Sequence, residues 1–436
     1  MKRSTELPTK FHVQVAAAWS IVSKLNHQFA RGFAPAFQTF TEGAVMHLVP
    51  IAPFLDEIQI GSRLRFGVRG QDGSLLLAKG FIVESQRIQD SLVNRGVFVD
   101  MDEFAEEASA VEVIPPTPLQ TFISTWGRLH DHMDGFLRAA PSTQVDPLRI
   151  MECVSHVISL CDSSRDLLLF LILRHDQTRY KDYGVFHSLH VAATCGLIAR
   201  RLKWSEDDRH SLVGAALTMN MAMTELQGQL ATEGQAPTDE QREHIHRHPL
   251  ESAARLRQIG ITDGKWLAAV EQHHETSTGS GYPGQLKTPT EMSQVLRYID
   301  MFIAKLSARA TRLAELPNVA ARQLFTQNHG DPLAAVVIKE FGIYPPGCYV
   351  KLASGELAIV TRGGAHAHTP VVAALTNADG HTLEEPSRRD TSEPQHAIEE
   401  IIGENLVFIR PAWSRLHALS FGHSDCPVAD MSRVAI

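Results

Sequence analysis

The chain has 436 residues, of which 44% are hydrophobic and 21% charged, and its formal net charge at pH 7 is −8. This length allows two or three domains with substantial cores, and the composition is that of a globular protein rather than a disordered one. The negative charge argues against broad nucleic-acid binding, so we predict no nucleic-acid partner.

Cysteine usage and the lack of long apolar runs predict the compartment. The five cysteines are scattered without metal-binding spacing: Cys153, Cys161, Cys195, Cys348 and Cys426. An odd, scattered set is typical of free thiols in a reducing environment. The start of the chain lacks an apolar signal core, and the most apolar run, residues 167–173, is too short to span a bilayer. We therefore predict a cytoplasmic protein without a membrane span; these features leave its oligomeric state open.

The first part of the chain predicts a small α/β module over residues 1–113. Apolar side chains at helical spacing predict a helix over residues 11–40. Residues 59–83 alternate between apolar and polar side chains around a turn at 71–74, which predicts a β-hairpin. A helix is expected at 84–95, and the proline-rich residues 114–118 form the best domain boundary. These patterns assign no role to the module.

The remainder predicts a helical domain over residues 120–345 and a β-rich extension over 346–436. Long apolar-periodic segments occur at 148–174, 187–203, 207–231, 241–259 and 290–314. Glycines and prolines at 342–347 end the helical series. Residues 349–360 alternate around a Ser-Gly turn and predict a hairpin, with a further strand near 370–372. Residues 379–396 are predicted as an exposed loop, and the tail from 397 is ambiguous.

The run at residues 273–283 carries the strongest functional signal in the chain. It reads His-His-Glu-Thr-Ser-Thr-Gly-Ser-Gly-Tyr-Pro and places three metal-binding or proton-handling groups within one turn, followed by a glycine-rich loop. Imidazole is a common ligand of transition metals, and glycines let the backbone approach a phosphate closely. A helix end with a Gly-Pro stop signal would explain Gly279, Gly281 and Pro283, but not the paired histidines. The run therefore favours phosphoryl chemistry at a metal centre.

This run resembles the signature of the HD-GYP family, His-His-Glu-x-x-Asp-Gly-x-Gly-Tyr-Pro, with Thr278 at the aspartate position. The family consists of bacterial metal-dependent phosphodiesterases that hydrolyse cyclic di-GMP and have an all-helical domain. The resemblance implies a mainly α protein, a divalent metal (iron, manganese or magnesium), and cyclic di-GMP or a related dinucleotide as ligand. It also implies that the loop at Gly281, Tyr282 and Pro283 contacts substrate or a protein partner.

Further segments resemble the family's other ligand elements in the expected order. His187 opens a His-Ser segment, and His248-Pro249 resembles a His-Pro element that we expect at a helix start. The resemblance implies five metal ligands: His187, His248, His273, His274 and Asp300. It also implies that Arg309 and Arg312 bind substrate. Glu152 is an additional candidate ligand, since some members add a glutamate from an upstream helix; an exposed helix carboxylate is the alternative.

The family's His-Asp pair is replaced in this chain. The segment that aligns with it places Met219 at the histidine, Asn220 at the aspartate and Met223 at a lysine that lies near the substrate phosphate in the family. The family's aspartate bridges two metal ions. An amide oxygen is a weak ligand for transition metals, and a thioether is a soft one. The resemblance therefore implies that Asn220 and Met223 are degenerate catalytic positions.

The balance between the charges of the metal ions and those of the buried carboxylates leads to two alternative functions. Two divalent ions bring four positive charges that buried anions must balance, and only Asp300 is certain among the matched carboxylates. We therefore predict one ion or none, and a degenerate HD-GYP protein of cyclic di-GMP signalling that binds or regulates with weak or no hydrolysis. The alternative is an active metal-dependent cyclic di-GMP phosphodiesterase that uses a variant site, with Asn220 as a poor sixth ligand.

Overall fold

The computed structural model describes residues 118–139, 143–175 and 179–407 continuously, together with scattered residues between 48 and 100 and residues 409 and 416. The helix predicted at 11–40 lies outside the described residues. So does most of the helix predicted at 84–95, and so do residues 114–117 of the predicted linker.

A small antiparallel sheet lies in the N-terminal part. Its strands are β1 (Leu48–Pro50), β2 (Val68–Arg69), β3 (Leu75–Leu77) and β4 (Phe98–Asp100), in the order β1-β4-β2-β3. Val68 pairs with Leu77 across β2 and β3, which confirms the predicted hairpin. Phe66, Val68 and Val99 belong to a buried apolar cluster of this region. These strands thus enclose a small core of their own.

The central region is helical, as predicted. Its helices are α1 (Pro118–Leu137), α2 (Pro147–Ser163), α3 (Arg165–Arg174), α4 (Tyr183–Leu202), α5 (Glu206–Thr218), α6 (Thr224–Glu233), α7 (Asp239–Ile259), α8 (Gly264–Gln272), α9 (Glu291–Leu306), α10 (Pro317–Gln327) and α11 (Pro332–Phe341). Together with the strands at either end, they confirm a mainly α protein with smaller strand-rich regions.

Two predicted helices are each divided into two. The segment 148–174 breaks at Ser164, whose hydroxyl oxygen accepts a hydrogen bond from the backbone N–H of Leu167 and caps α3. The segment 207–231 breaks at residues 219–223, which form a turn between α5 and α6. Apolar periodicity continues across both breaks, so it did not reveal them.

Helix α4 lies at the centre of the helical core. Most of its residues from Tyr183 to Ala199 are buried, and it contacts α5 and α9 among other helices. Helix α8 packs closely on α5, because a Cβ atom at Gly214 would lie 2.4 Å from the Trp266 ring. The Trp266 indole N–H donates to the Thr218 hydroxyl at 2.9 Å. This packing places the end of α8, where the paired histidines begin, against the helical core.

The C-terminal sheet consists of β5 (Tyr349–Leu352), β6 (Leu357–Arg362), β7 (Val371–Thr376), β8 (Thr382–Asp390) and β9 (Ile398–Ile402), in the order β8-β7-β6-β5-β9. The predicted hairpin and the strand near 370–372 are confirmed. The prediction of a loop over 379–396 is wrong, because β8 pairs with β7 along much of this segment. A sheet tolerates a polar strand at its edge, where charged side chains face solvent, so composition alone misassigned it.

No helix within the described residues is long and apolar enough to cross a membrane.

Candidate metal centre

Three imidazoles from the predicted ligand set meet at one point. The ligand nitrogens of His248, His273 and His274 lie within 4.8 Å of one another. His248 comes from α7, and the two adjacent histidines follow the end of α8. Among the described residues, these three form the one cluster of at least three histidine, cysteine or carboxylate side chains that could hold a metal ion. We refer to these residues as the histidine triad.

Two imidazoles of the triad are oriented by helix carbonyls that lack their usual partners. His248 Nδ1 donates to the Ile245 carbonyl at 2.5 Å, and His273 Nδ1 donates to the Val270 carbonyl at 2.7 Å. Pro249 has no N–H for the Ile245 carbonyl, and Val270 lies in the last turn of α8. The expectation that His248-Pro249 opens a helix is therefore wrong: Pro249 lies inside α7 and frees a carbonyl that orients the histidine.

The facing nitrogens of His248 and His273 fit a bound cation. Since each Nδ1 carries its proton, each neutral imidazole presents a lone pair at Nε2, and the two Nε2 atoms are 3.1 Å apart. Burial lowers the pKa of His248 to about 3 and also lowers the pKa values of His273 and His274. Two nitrogens bound about 2.0–2.1 Å from one ion lie about 3.0–3.4 Å apart. The triad thus fits a divalent metal ion, which would act as a Lewis acid when bound.

In the metal-free protein we expect the free energy of unfolding to decrease as the pH falls from 6.5 towards about 3. The unfolded chain takes up protons on its histidines near pH 6.5, whereas the folded protein keeps His248 neutral to much lower pH. The contribution of the neutral imidazole to the free energy of unfolding is therefore fully present above pH 6.5, the pKa of histidine in the unfolded chain. It is lost as the pH falls from 6.5 towards about 3. The slope is up to about 1.4 kcal/mol per pH unit for such an imidazole.

Urea denaturation across this pH range, with chelator present, measures that slope. His248→Gln should flatten the profile, because it removes one of the groups whose protonation differs between the two states. Identical profiles for the wild type and this variant would contradict the prediction.

His187 and Asp300, the other two predicted ligands, form a pair. His187 Nε2 lies 2.7 Å from Asp300 Oδ1, and His187 Nδ1 is buried without a hydrogen-bond partner among the described residues. Burial disfavours ionisation of Asp300. The hydrogen bond from His187 and its electrostatic interaction with Asp300 outweigh burial, and they hold the pKa of the carboxyl below its usual range. Asp300 is therefore an anion at neutral pH, and it is electrostatically coupled to His273 and His274.

Arg309 is linked to this pair through an aromatic ring, whereas Arg312 is not. The Tyr183 ring stacks on His187 with centroids 5.5 Å apart, and Arg309 lies over the same ring and donates to its hydroxyl at 2.9 Å. Arg312 is exposed, and its guanidinium donates to the Ala304 carbonyl near the end of α9. Substrate binding by both arginines stays a prediction.

Residues 219–223, which the resemblance aligns with the family's His-Asp pair, form the turn between α5 and α6. Met219 is fully buried in the apolar core, and Met223 and Asn220 are also buried. The Asn220 carbonyl accepts hydrogen bonds from Met223 N at 2.9 Å and Thr224 Oγ1 at 3.0 Å. Helix α7, which carries His248, contacts the same turn: His244 Nε2 lies 3.0 Å from the Ala222 carbonyl oxygen. A role for the Asn220 side chain at the metal stays a prediction.

Glu275 organises the glycine-rich loop. Its carboxylate is buried and accepts hydrogen bonds from the backbone N–H groups of Gly284 at 2.5 Å and Leu286 at 2.9 Å. Both carboxylate oxygens are thus engaged by the backbone. A Cβ atom at Gly281 would lie 2.5 Å from Glu275 Cα, so this close approach requires glycine. Of the three polar groups at the start of the run, the two histidines face the metal position, and the glutamate supports the loop.

Glu275→Ala is expected to lower the free energy of unfolding by about 1–3 kcal/mol, because two backbone donors lose a charged acceptor. Glu275→Gln should cost less, since its amide oxygen can still accept one bond. Hydrogen exchange should accelerate at Gly284 and Leu286 in the alanine variant. Glu271→Ala, which removes a surface carboxylate paired with Arg257, is the matched control and should cost under about 1 kcal/mol. Equal effects of the two alanine variants would contradict this role.

Tyr282 connects the loop to the triad. Its ring stacks on His274 with centroids 4.5 Å apart and on the exposed His246 with centroids 4.6 Å apart. The Tyr282–Pro283 peptide bond is cis. Thr278, at the family's aspartate position, is exposed and contacts the hydroxyls of Thr276 and Ser280. Tyr282 thus contacts one imidazole of the triad and one exposed imidazole of α7.

The additional candidate Glu152 lies on α2 with an exposed side chain, and it is not part of the group that could hold a metal. This position agrees with the alternative of an exposed helix carboxylate, and its role as a ligand stays an untested prediction.

Comparisons with known proteins identify this region. Residues 168–328 match a family model described as an HD domain. A cyclic di-GMP phosphodiesterase, PA4108 of Pseudomonas aeruginosa (strain PAO1), is 25% identical over 311 residues, which cover 64% of this chain and 74% of that protein. The chain contains an HD-GYP-like domain. Among solved structures, Bd1817, an HDG"Y"P protein from Bdellovibrio bacteriovorus, is 14% identical in sequence, with a TM-score of 0.45. The match covers 68% of this chain and 99% of the Bd1817 chain.

The HD-GYP-like domain also contains features that the sequence analysis missed. His246 stacks on Tyr282, and Arg297 lies one turn before Asp300 on α9. The three-residue spacing of Arg297 and Asp300 places both on one helical face, and this signal was available in the sequence. The contact of His246 with Tyr282 joins α7 to the loop, and no local pattern predicts it.

Proposed function

We propose that this chain is a cyclic di-GMP-binding regulatory protein whose HD-GYP-like domain holds at most one divalent ion and hydrolyses the dinucleotide weakly or not at all. Iron, manganese and magnesium are the candidate metals. The relative at 25% identity is named as a cyclic di-GMP phosphodiesterase, which supports this class of ligand. The histidine triad supports binding of one ion.

The replacement of the family's His-Asp pair by Met219-Asn220 is the observation that carries this proposal. A two-metal phosphodiesterase needs ions about 3.5–4 Å apart, and a bridging anion sets that distance. Here the bridging position holds a neutral amide. The remaining carboxylate, Asp300, is hydrogen-bonded to His187. The triad can therefore hold an ion while a second ion lacks its ligands.

An active phosphodiesterase with a variant site is the second candidate. The intact triad and the name of the curated relative favour it. In this case Asn220 would serve as a weak additional ligand, and one ion would have to activate water and stabilise the leaving oxygen.

We further propose that the chain has three modules, at residues 1–113, 120–345 and 346–436, and that it acts in the cytoplasm. The separate apolar cluster around Phe66 and Val99 supports the first module. In the third module, Tyr349 and Ile359 join the helical core, so the sheet is expected to stabilise the helical domain. The loop at Gly281, Tyr282 and Pro283 is proposed as the contact for a protein partner.

Metal content and turnover measured on the same preparation test the proposed function. We expect elemental analysis to give one equivalent of divalent metal or less, calorimetry to detect cyclic di-GMP binding, and chromatography to detect little or no linear product. Two equivalents of metal with steady turnover would establish the active phosphodiesterase instead. A protein that neither binds nor hydrolyses cyclic di-GMP would refute both candidates.

A further inference from the structure

A cation of the HD-GYP-like domain with no assigned role shares a helical face with Asp300: Arg297 lies three residues before it on α9. Arg297 is electrostatically coupled to Asp300 and to His274, and it is partly buried on α9. Burial lowers its pKa, and the charge of Asp300 opposes that shift. Because a guanidinium stays protonated in proteins, Arg297 is a positive charge at this pocket at neutral pH.

The guanidinium of Arg297 retains capacity to bind a ligand. Its Nη1 donates to Asn328 Oδ1 at 2.9 Å, and Asn328 is itself anchored through its amide N–H to the Leu324 carbonyl at 2.8 Å. Among the described residues, the bond to Asn328 is the single hydrogen bond of the Arg297 guanidinium, which has five N–H donors. No carboxylate of the described residues forms an ion pair with Arg297. Arg297 is therefore held at one nitrogen and has donors to spare.

The charges of the pocket favour an anion with two negative charges. The carboxylate of Asp300 and the guanidinium of Arg297 cancel, so a single divalent ion at the histidine triad leaves two positive charges. A phosphodiester carries one negative charge, whereas a terminal phosphate carries nearly two at neutral pH, since its second pKa is about 6. Arginine also binds phosphate oxygens through two parallel hydrogen bonds.

We propose that Arg297 is an anion-binding residue that makes this pocket a receptor for a terminal phosphate group, such as that of inorganic phosphate or of a 5′-phosphorylated linear dinucleotide. The inference rests on the proposed function in that it places one metal ion at the triad. From α9, Arg297 supplies the phosphate-binding cation that Met223 cannot provide.

Calorimetric binding to the full chain, with and without one equivalent of Mn²⁺, tests this proposal. The probes are inorganic phosphate, linear diguanylate with a 5′-phosphate, the same dinucleotide without it, and cyclic di-GMP. We expect the two probes with a terminal phosphate to bind, and the dephosphorylated dinucleotide to bind more weakly. Arg297→Gln should weaken binding of phosphate and of the phosphorylated dinucleotide by about 10- to 100-fold, and Arg297→Lys by less.

Two control variants separate binding from a structural role. Arg257→Gln removes an exposed arginine that is paired with Glu271, and it should leave phosphate binding unchanged. Asn328→Ala removes the contact that holds Arg297 but keeps the cation, and it should weaken binding by less than Arg297→Gln does. Phosphate binding that is unaffected by Arg297→Gln, or weakened equally by Asn328→Ala, would overturn the proposal.

The result distinguishes this inference from the proposed function. Phosphate binding that depends on Arg297, without any binding of cyclic di-GMP by the wild type, would support the inference and refute the proposed function. If the wild type binds cyclic di-GMP but phosphate binding does not change in Arg297→Gln, the result would support the proposed function and refute this inference.

Discussion

The double substitution Met219→His with Asn220→Asp is expected to raise the metal content to two ions and to produce cyclic di-GMP hydrolysis at least about 100-fold above the wild type, or roughly 3 kcal/mol of transition-state stabilisation. The aspartate would supply the missing bridging anion, and the histidine would supply a missing ligand. Each single variant should recover much less, because ligands of one centre act together and their effects are not additive. Asn220→Asp alone should mainly raise metal affinity.

The same substitution should destabilise the metal-free protein. Met219 is fully buried among apolar side chains, and an imidazole there loses hydration without a partner, at a cost of about 1–3 kcal/mol. Added Mn²⁺ or Fe²⁺ should reverse this loss, which thermal unfolding would show.

Thr278→Asp is the matched control for the repair experiment. It restores another family residue, but on an exposed loop where Thr278 contacts hydroxyl groups, so it should add little metal and little activity. Robust turnover by the wild type would refute the degenerate site. A double variant that binds two ions and stays inert would show that the substrate pocket has also changed, with Met223 the first residue to test.

His273→Ala is expected to abolish the stabilisation of the protein by metal. Metal present at about 100 times its Kd stabilises the folded state by about 2.7 kcal/mol, which corresponds to several degrees in Tm. Removing a central nitrogen of the triad should remove this shift almost completely, because two imidazoles alone form a much weaker site. Thermal unfolding with and without Mn²⁺ or Zn²⁺ measures the effect.

His132→Ala provides the control for the metal-induced shift. His132 is exposed on α1 and is not part of the triad, so this variant should keep the full metal-induced shift. A His273→Ala protein that retains the wild-type shift would place the metal elsewhere.

The sequence by itself determined much of the helical fold and proposed the residues of the candidate site. Apolar periodicity placed most helices of the central region, because an amphipathic helix repeats locally. The motif types selected His248, His273 and His274, which the structure brings together, and also His187 and Asp300, which it pairs with each other. Motif resemblance could select these residues because each lies within a short segment of recognisable pattern.

Only the tertiary structure decided how these residues are oriented and what surrounds them. The break at 219–223, the position of Pro249 within α7 and the binding of backbone N–H groups by Glu275 depend on local hydrogen bonds that composition does not encode. The stack of His246 on Tyr282, the anchoring of Arg297 by Asn328 and the pairing of β8 with β7 join separate elements of the chain. Their geometry is a result of how the elements pack, so a pattern read along the chain cannot supply it.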